Sequence, residues 1–498
     1  MRPFHLQYLF KNYNNYIMNS NRRNFIKTSV FGAGLIASGL SACAPGKNEK
    51  GTGLAGSKHI QRFNMSGFAA PKLDKVRVGF VGLGNRGPGA VERLSYIEGL
   101  EIVGLCDQHE DRVEAMQKLL EKKGLPKAKS YSGSKEAWKQ MCENPDIDLI
   151  YIATPWAWHT PMAVYAMEHG KHAATEVPAA LSIDECWQLV ETSERTQKHC
   201  MMLENCCYDF FELLTLNMAR QGFFGEIVHG EGAYIHPLLD SNFDKHKYSE
   251  MWRLKENQHR NGNLYPTHGL GPICQVMDIN RGDRMEYLTS ISSNDFQMAA
   301  RAKELAADDS FYSEFVTDHY RGNMNTTTVR TYKGRTIMVQ HDVTSPRVYT
   351  RLHQVSGTKG MASKYPEPRV ATGHEWFSTE EMKDLEEKYT PEIVKRIGEM
   401  AKKVGGHGGM DFMMDWRLID CLRNGLPLDL NVYDAALWSS ISPLSEWSVA
   451  NRSNTVDVPD FTCGAWETNK PVTLTLNGGG TTGVRELKNA NASEQLSI

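Results

Sequence analysis

The chain has 498 residues, of which 41% are hydrophobic and 23% charged, and a net charge of −3. That length allows two or more domains with a sizeable core, and the composition excludes a disordered or fibrous chain. The near balance of 56 basic and 59 acidic residues argues against nucleic-acid binding through bulk electrostatics.

At the N-terminus, Asn21-Arg22-Arg23-Asn24-Phe25-Ile26-Lys27 precedes an apolar stretch from Ser29 to Leu40 and then Leu40-Ser41-Ala42-Cys43. Twin arginines, an apolar segment short of a bilayer span, and small residues before a cysteine predict a twin-arginine-type export signal with a lipobox over residues 1–43. The protein is then expected to be exported and lipid-anchored, periplasmic or at the cell surface, meeting the membrane only through Cys43. Either Met1 or Met18 suits as the start. Residues 44–72 are Gly-, Ser- and Lys-rich and read as a linker. The other cysteines lack disulfide or zinc spacing, so they are expected to be buried and no metal site is expected.

From Lys75, apolar runs alternate with helical stretches. Val76–Val81, Glu101–Cys106, Leu149–Ala153, His172–Glu176 and Met201–Leu203 read as strands, with helices such as Asp111–Lys123 and Pro161–His169 between them. That alternation predicts βαβ units and an α/β Rossmann domain over 73–208. After residue 209 come longer strands, Glu226–Ile235, Tyr287–Ser293, Thr326–Tyr332, Thr336–Val343 and Tyr349–Val355, with short connections. They predict a C-terminal α+β domain over 209–462, built on an open, largely antiparallel sheet with helices on one face. Residues 463–498 form a tail that is expected to fray from Leu476.

The turn Gly82-Leu83-Gly84-Asn85-Arg86-Gly87 directly follows the first strand. Its glycines permit a tight turn and close approach to a pyrophosphate, and the next helix offers free N–H groups to the anion. About twenty residues on, the second strand ends in Asp107, a carboxylate suited to ribose hydroxyls, which favours NAD over NADP. Thr154-Pro155-Trp156-Ala157-Trp158-His159, Glu176-Val177-Pro178 and Asn205 follow later strands, at the edge where open α/β sheets bind ligands. Four glycines flank His407. They favour no helix or sheet, so a static structural role is unexpected, and a histidine on a hinge-like loop suits proton transfer.

These motifs resemble the glucose-fructose oxidoreductase/inositol dehydrogenase superfamily from about Lys75 to residue 460. In sugar dehydrogenases of that group the segment matching Glu176-Val177-Pro178 reads Glu-Lys-Pro; here Val177 cannot donate to a reacting hydroxyl. With Tyr265-Pro266-Thr267-His268-Gly269-Leu270-Gly271, Trp156 through His159 and His407, the chain is similar to glycoside hydrolase family 109, NAD-dependent α-N-acetylgalactosaminidases.

The resemblance implies that NAD is contacted by Gly82, Gly84, Asn85, Arg86, Gly87, Asp107, Trp156, Ala157, Trp158, His159, Glu176, Val177 and Asn205. It implies a sugar pocket of Tyr234, Arg253, Tyr265, Pro266, Thr267, His268 and Tyr349. It further implies His407 as an acid/base residue on a mobile loop; within such a site His268 is expected as the proton acceptor at C3, with Tyr265 in support. The expected reaction is redox-neutral: oxidation at the sugar C3, elimination, water addition and reduction, on a tightly held NAD. An exported enzyme has no soluble nicotinamide pool to draw on, and a zero-redox cycle needs none. Other readings are a sugar or cyclitol dehydrogenase and a lipid-anchored glycan-binding protein with a vestigial cofactor site. The sequence leaves open whether the chain forms a homo-oligomer.

Overall fold

The computed structural model describes residues 59–485. The export signal, Cys43, most of the expected linker and the end of the tail lie outside the described residues. The apolar runs of the first half form six parallel strands: β1 (Val76–Val81), β2 (Leu100–Cys106), β3 (Lys129–Tyr131), β4 (Leu149–Ile152), β5 (His172–Thr175) and β6 (Cys200–Met202), in the order β3-β2-β1-β4-β5-β6. Strands β4, β5 and β6 are buried throughout. Cover on both faces is why they read as continuous apolar runs and not as alternating ones. The order reverses between β1 and β4, which opens a crevice at their carboxyl ends.

The second sheet contains β7 (Ile227–Ile235), β8 (Met285–Ser292), β9 (Asn325–Thr331), β10 (Thr336–Asp342), β11 (Thr350–Gly357), β12 (Met361–Ser363), β13 (Arg369–Ala371) and β14 (Val456–Asp457). Its order is β13-β12-β11-β7-β10-β9-β8-β14, antiparallel except for the parallel pair β7 and β10. The largely antiparallel expectation holds. Short connections fail between β7 and β8, where helices Leu239–Phe243, Trp252–His259 and Thr267–Val276 intervene. The last of these lies hard against β7. A Cβ on Gly232 would fall 2.3 Å from the Gly269 carbonyl oxygen, and one on Gly269 would fall 2.1 Å from the Ala233 nitrogen. Only paired glycines permit that approach, and it fixes the start of the helix beside the end of β7.

The first sheet ends at Met202, six residues before the expected division at residue 208, yet the chain returns to it. The helix Met410–Asn424 is buried from Met410 to Leu422 and packs on β1 and on the helix Gly87–Leu94. Two expectations are corrected here. Residues 59–72 are no free tether: Met65 and Ala70 are buried, the Arg62 N–H donates to Glu194 Oε2 at 3.0 Å, and Gln61 donates to the Tyr433 hydroxyl at 2.9 Å. Nor does the tail fray at Leu476. The N–H groups of Gly480 and Thr482 donate to Asp420, Trp416 donates to the Thr482 carbonyl, and Val484 bridges to Ile97. Backbone donors of a glycine-rich segment find buried acceptors, and pairing of that kind holds a segment without apolar side chains. Eight of the nine cysteines of the described residues are buried and all nine are free thiols, with Cys463 exposed.

Several histidines are buried as neutral rings. The His199 N–H donates to His172 Nδ1 at 3.0 Å. Burial pushes His172 well below its ordinary value of 6.5 and pushes His199 and His353 down to about 4. The unfolded chain therefore binds more protons than the folded one between about pH 6.5 and 4. Stability present above pH 6.5 should fall as the pH drops through that window, by about 1.4 kcal/mol per pH unit for each such ring. Asp415, which burial raises to about 6, acts in the opposite sense and offsets about one of them. Urea melts at pH 7 and pH 5 check this; equal stability at the two would show that these rings titrate normally.

Candidate active site

The carboxyl ends of β1, β2, β4, β5 and β6 deliver the predicted cofactor residues to one edge. Gly82 has φ of +88°, and a Cβ there would lie 2.6 Å from the Ala153 carbonyl oxygen; one on Gly87 would lie 2.0 Å from the Gly82 carbonyl oxygen. Glycine is required at both. Asp107 is buried and holds the turn: Oδ2 accepts from the Leu83 N–H at 2.8 Å and Oδ1 from the His109 N–H at 2.9 Å. Arg112 Nη1 stands 3.5 Å from the same carboxylate, a neighbour that sequence reading missed. Asn85 is exposed, Gly84 and Arg86 are half-buried, and the helix Gly87–Leu94 starts immediately beyond. This tight turn, carboxylate and helix start fit a dinucleotide's pyrophosphate and ribose.

Trp156 is buried, while Ala157 and Trp158 are exposed at the rim. His159 also has a structural task. Its Nδ1 lies 2.7 Å from the Pro178 carbonyl oxygen and its Nε2 lies 2.8 Å from that of Thr154. Both ring nitrogens face backbone carbonyls, so the ring braces the β4 and β5 loops. Glu176 accepts from Arg86 Nε at 3.3 Å, and Val177 is buried before a cis bond to Pro178.

Asn205 and His407 meet at Asp411. Asp411 Oδ1 accepts from Asn205 Nδ2, and Oδ2 lies 2.9 Å from His407 Nδ1, 3.4 Å from Arg86 Nη2 and 3.5 Å from Arg93 Nη1. Burial alone would raise this carboxyl, but Arg86 and Arg93 hold it well below the ordinary range. Arg93 also donates from Nε to Asp415 at 2.9 Å. The glycines around His407 do have a structural task, against expectation. Every residue from Gly405 to Gly409 has positive φ, so the run forms the left-handed connection between helices Glu392–Val404 and Met410–Asn424. A Cβ on Gly406 would meet Asp411 Cβ at 2.7 Å, and one on Gly409 the Ala401 carbonyl carbon at 2.8 Å. His407 therefore sits on a fixed turn with its side chain a third exposed.

The predicted sugar residues gather around the start of the helix Thr267–Val276. Tyr265 stacks on Trp156 (5.7 Å, 24°) and meets Tyr234 at 4.7 Å, and Tyr234 meets His268 at 5.4 Å. Arg253 is no solvated charge: its guanidinium lies 5.1 to 5.4 Å from the rings of Tyr265, Tyr248 and Trp156, and Nη1 donates to the Tyr248 hydroxyl at 3.0 Å. A caged cation of this kind is fixed in direction. Tyr349 closes the far side, edge-on to Tyr234 at 6.4 Å, its hydroxyl accepting from Arg351 Nη1 at 3.2 Å. Pro266 and Thr267 are buried in the helix start and shape the wall. His268 is the second residue of that helix and caps nothing; its Nδ1 lies 2.7 Å from Glu204 Oε1.

Three further groups were not read from the sequence. Glu204 is fully buried one position before Asn205, at the same sheet edge. Asp411 lies in the first turn of the helix Met410–Asn424, and the positive-φ run before it folds His407 back onto its carboxylate. His236 follows β7, with its ring 5.8 Å from Tyr234 and 5.0 Å from Tyr349. Burial, then the cations Arg253 and Lys247 with His407 and His268, push its imidazole down to about 4. It thus offers a neutral hydrogen-bonding ring at pH 7. Glu204, Cys206 and His268 also bring three metal-ligand atoms within 4.8 Å of one another. Two of these are engaged with each other, and burial pushes the Cys206 thiol well up, so the trio is a poor metal donor set.

Residues 76–204 match the oxidoreductase family with an NAD-binding Rossmann fold, and residues 208–468 match the family described as glycosyl hydrolase 109, C-terminal domain. A glycosyl hydrolase family 109 protein of Bacteroides fragilis is 52% identical over 417 residues, covering 80% of this chain and 88% of that one. An α-N-acetylgalactosaminidase of Bacteroides fragilis is 51% identical over 407 residues, covering 80% and 95%. Among solved structures, a levoglucosan dehydrogenase bound to NADH and levoglucosan superposes with a TM-score of 0.59 at 16% identity, covering 78% of this chain and all of that one. At that identity the likeness concerns the fold.

Proposed function

The chain belongs to glycosyl hydrolase family 109, and on that basis we propose that it releases terminal α-linked N-acetylgalactosamine from glycans by a redox-neutral cycle on a retained NAD. It is an NAD-dependent glycoside hydrolase. The observation that carries the reading is the pairing, at one sheet edge, of a dinucleotide turn with two separate histidine–carboxylate pairs, His268–Glu204 and His407–Asp411. A simple dehydrogenase needs one proton acceptor. A cycle that also breaks a glycosidic bond needs a second proton-handling group at the leaving oxygen.

Gly82, Gly87, Asp107 and Arg86 would hold the dinucleotide, with Trp156 and Glu176 beside it. When bound, NAD supplies an acceptor and donor of two electrons at the sugar C3. His268 takes the proton of the C3 hydroxyl, and Tyr265 fixes the orientation of that ring by edge-on contact at 4.9 Å. A ketone at C3 acidifies the C2 hydrogen; solvent takes that proton as the group on C1 departs, and solvent returns one to C2 when water adds at C1. His407 gives its proton to the departing oxygen and later takes one from the entering water. Arg253, Tyr234 and Tyr349 orient the sugar, and the neutral His236 adds a hydrogen-bonding group to that wall. Val177, where sugar dehydrogenases carry lysine, leaves proton transfer to the histidines.

The signal-like stretch ending in Cys43 supports export and lipid anchoring to a periplasmic or outer surface, where a captive cofactor is an advantage. The test uses purified protein with aryl α- and β-glycosides and no added cofactor. Steady phenol release from the α-linked N-acetylgalactosaminide is expected, with solvent deuterium at C2 of the freed sugar. Turnover that stops without stoichiometric NAD, together with a C2 free of deuterium, would overturn the cycle.

A further inference from the structure

Glu204 lies outside every residue set implied by the family resemblance, yet it makes the shortest polar contact of His268. It lies two residues beyond β6, is wholly buried, and its Oε1 receives both the Cys206 N–H at 3.2 Å and His268 Nδ1 at 2.7 Å. Burial alone would raise the Glu204 carboxyl, but the adjacent His268 and the Cys206 N–H hold it below the ordinary range. An ionised carboxylate only accepts hydrogen bonds, so the proton on this edge of the ring belongs to Nδ1. Nε2 is then left as the acceptor, on a side chain 14% exposed between Tyr265 and Tyr234.

We propose that Glu204 is the positioning residue of the oxidation step: it holds His268 as the Nδ1–H tautomer and compensates the imidazolium that forms when Nε2 takes the C3 hydroxyl proton. The inference rests on the assignment of His268 made above. The balance is simple. The O–H bond breaks, its proton moves to Nε2, and the carbon-bound hydrogen leaves with two electrons to the bound nicotinamide. The new positive charge faces a buried negative one, in surroundings where burial strengthens their attraction. The same carboxylate also ties the ring to the end of β6, beside Asn205 and the cofactor edge. A histidine held at both position and tautomer needs no reorganisation when the proton arrives.

Glu204→Gln keeps the shape and an acceptor oxygen for Nδ1 but removes the charge; Glu204→Asp keeps the charge. With the intact protein, substrate-dependent reduction of bound NAD is followed at 340 nm across pH. The parent and E204D should share one acid limb. In E204Q the rate should fall about a hundredfold at unchanged KM, with the acid limb displaced to lower pH because imidazolium has lost its counter-charge. ¹⁵N resonances of His268 in cofactor-free protein should shift their titration in the same direction. A limb and resonances that stay in place in E204Q would overturn the proposal, even if the rate fell through general damage. A parent protein that reduces no NAD on any glycoside would instead sink the glycosidase cycle, while the His268 titration would still judge Glu204.

Discussion

Replacing His407 by alanine is expected to slow glycoside cleavage by about two to four orders of magnitude, with the fold and the bound nucleotide retained. The geometry separates these effects. His407 gives Asp411 one of its four partners, and its removal leaves Arg86, Arg93 and Asn205 on that carboxylate, so no buried charge is orphaned. The side chain is a third exposed, so its loss opens no sealed cavity. The turn is held by Gly406 and Gly409 packing on Asp411 and Ala401 and does not depend on the imidazole. What disappears is a proton donor and acceptor at the cofactor edge, beside Arg86 and Asp411. Initial rates with an aryl glycoside, a thermal melt and nucleotide released on denaturation distinguish the outcomes. Unchanged turnover would take His407 out of the chemistry, and a collapsed melt would make it a structural residue.

The legibility of this chain followed the range of its interactions. β1 was read at its true bounds because β-branched residues, a following glycine turn and an acidic residue about twenty positions on are local signals. β3, β12 and β13 span only three residues each and β14 two, too short for a period-two pattern to stand out. The tail from Leu476 looked loose because its glycines carry no packing side chains; its fixed position depends on Asp420 and Trp416, some sixty residues away. In the active site, residues in glycine or aromatic motifs were found, and their buried ionic partners were not. Glu204 and Asp411 gain their meaning only from His268, Arg86 and Arg93, brought to them by the fold. His159 shows a converse limit: the motif gave no sign that its two nitrogens face backbone carbonyls.

Alanine at Asp411 should do what alanine at His407 does not. Its carboxylate is the shared anion of Arg86, Arg93, His407 and the Asn205 amide, and it is wholly buried. Removing one partner of a buried ion pair costs about 3–5 kcal/mol, because the remaining charge keeps its desolvation penalty. Arg93 retains Asp415 and Arg86 retains Glu176, which places the cost near the lower end, about 3 kcal/mol. Arg86 and Asn205 both stand at the cofactor edge, so nucleotide retention should fall with stability, and His407 loses the group that directs its ring. Urea melts at pH 7 give the first quantity and released nucleotide the second. A double-mutant cycle with Arg86→Ala then tests the shared-anion account: the pair should cost less than the sum of the single changes, since either one already breaks the contact. Strict additivity, or a D411A protein as stable and as fully loaded as its parent, would mean that the arginines find water or other acceptors and that the four-way contact on Asp411 does not organise the site.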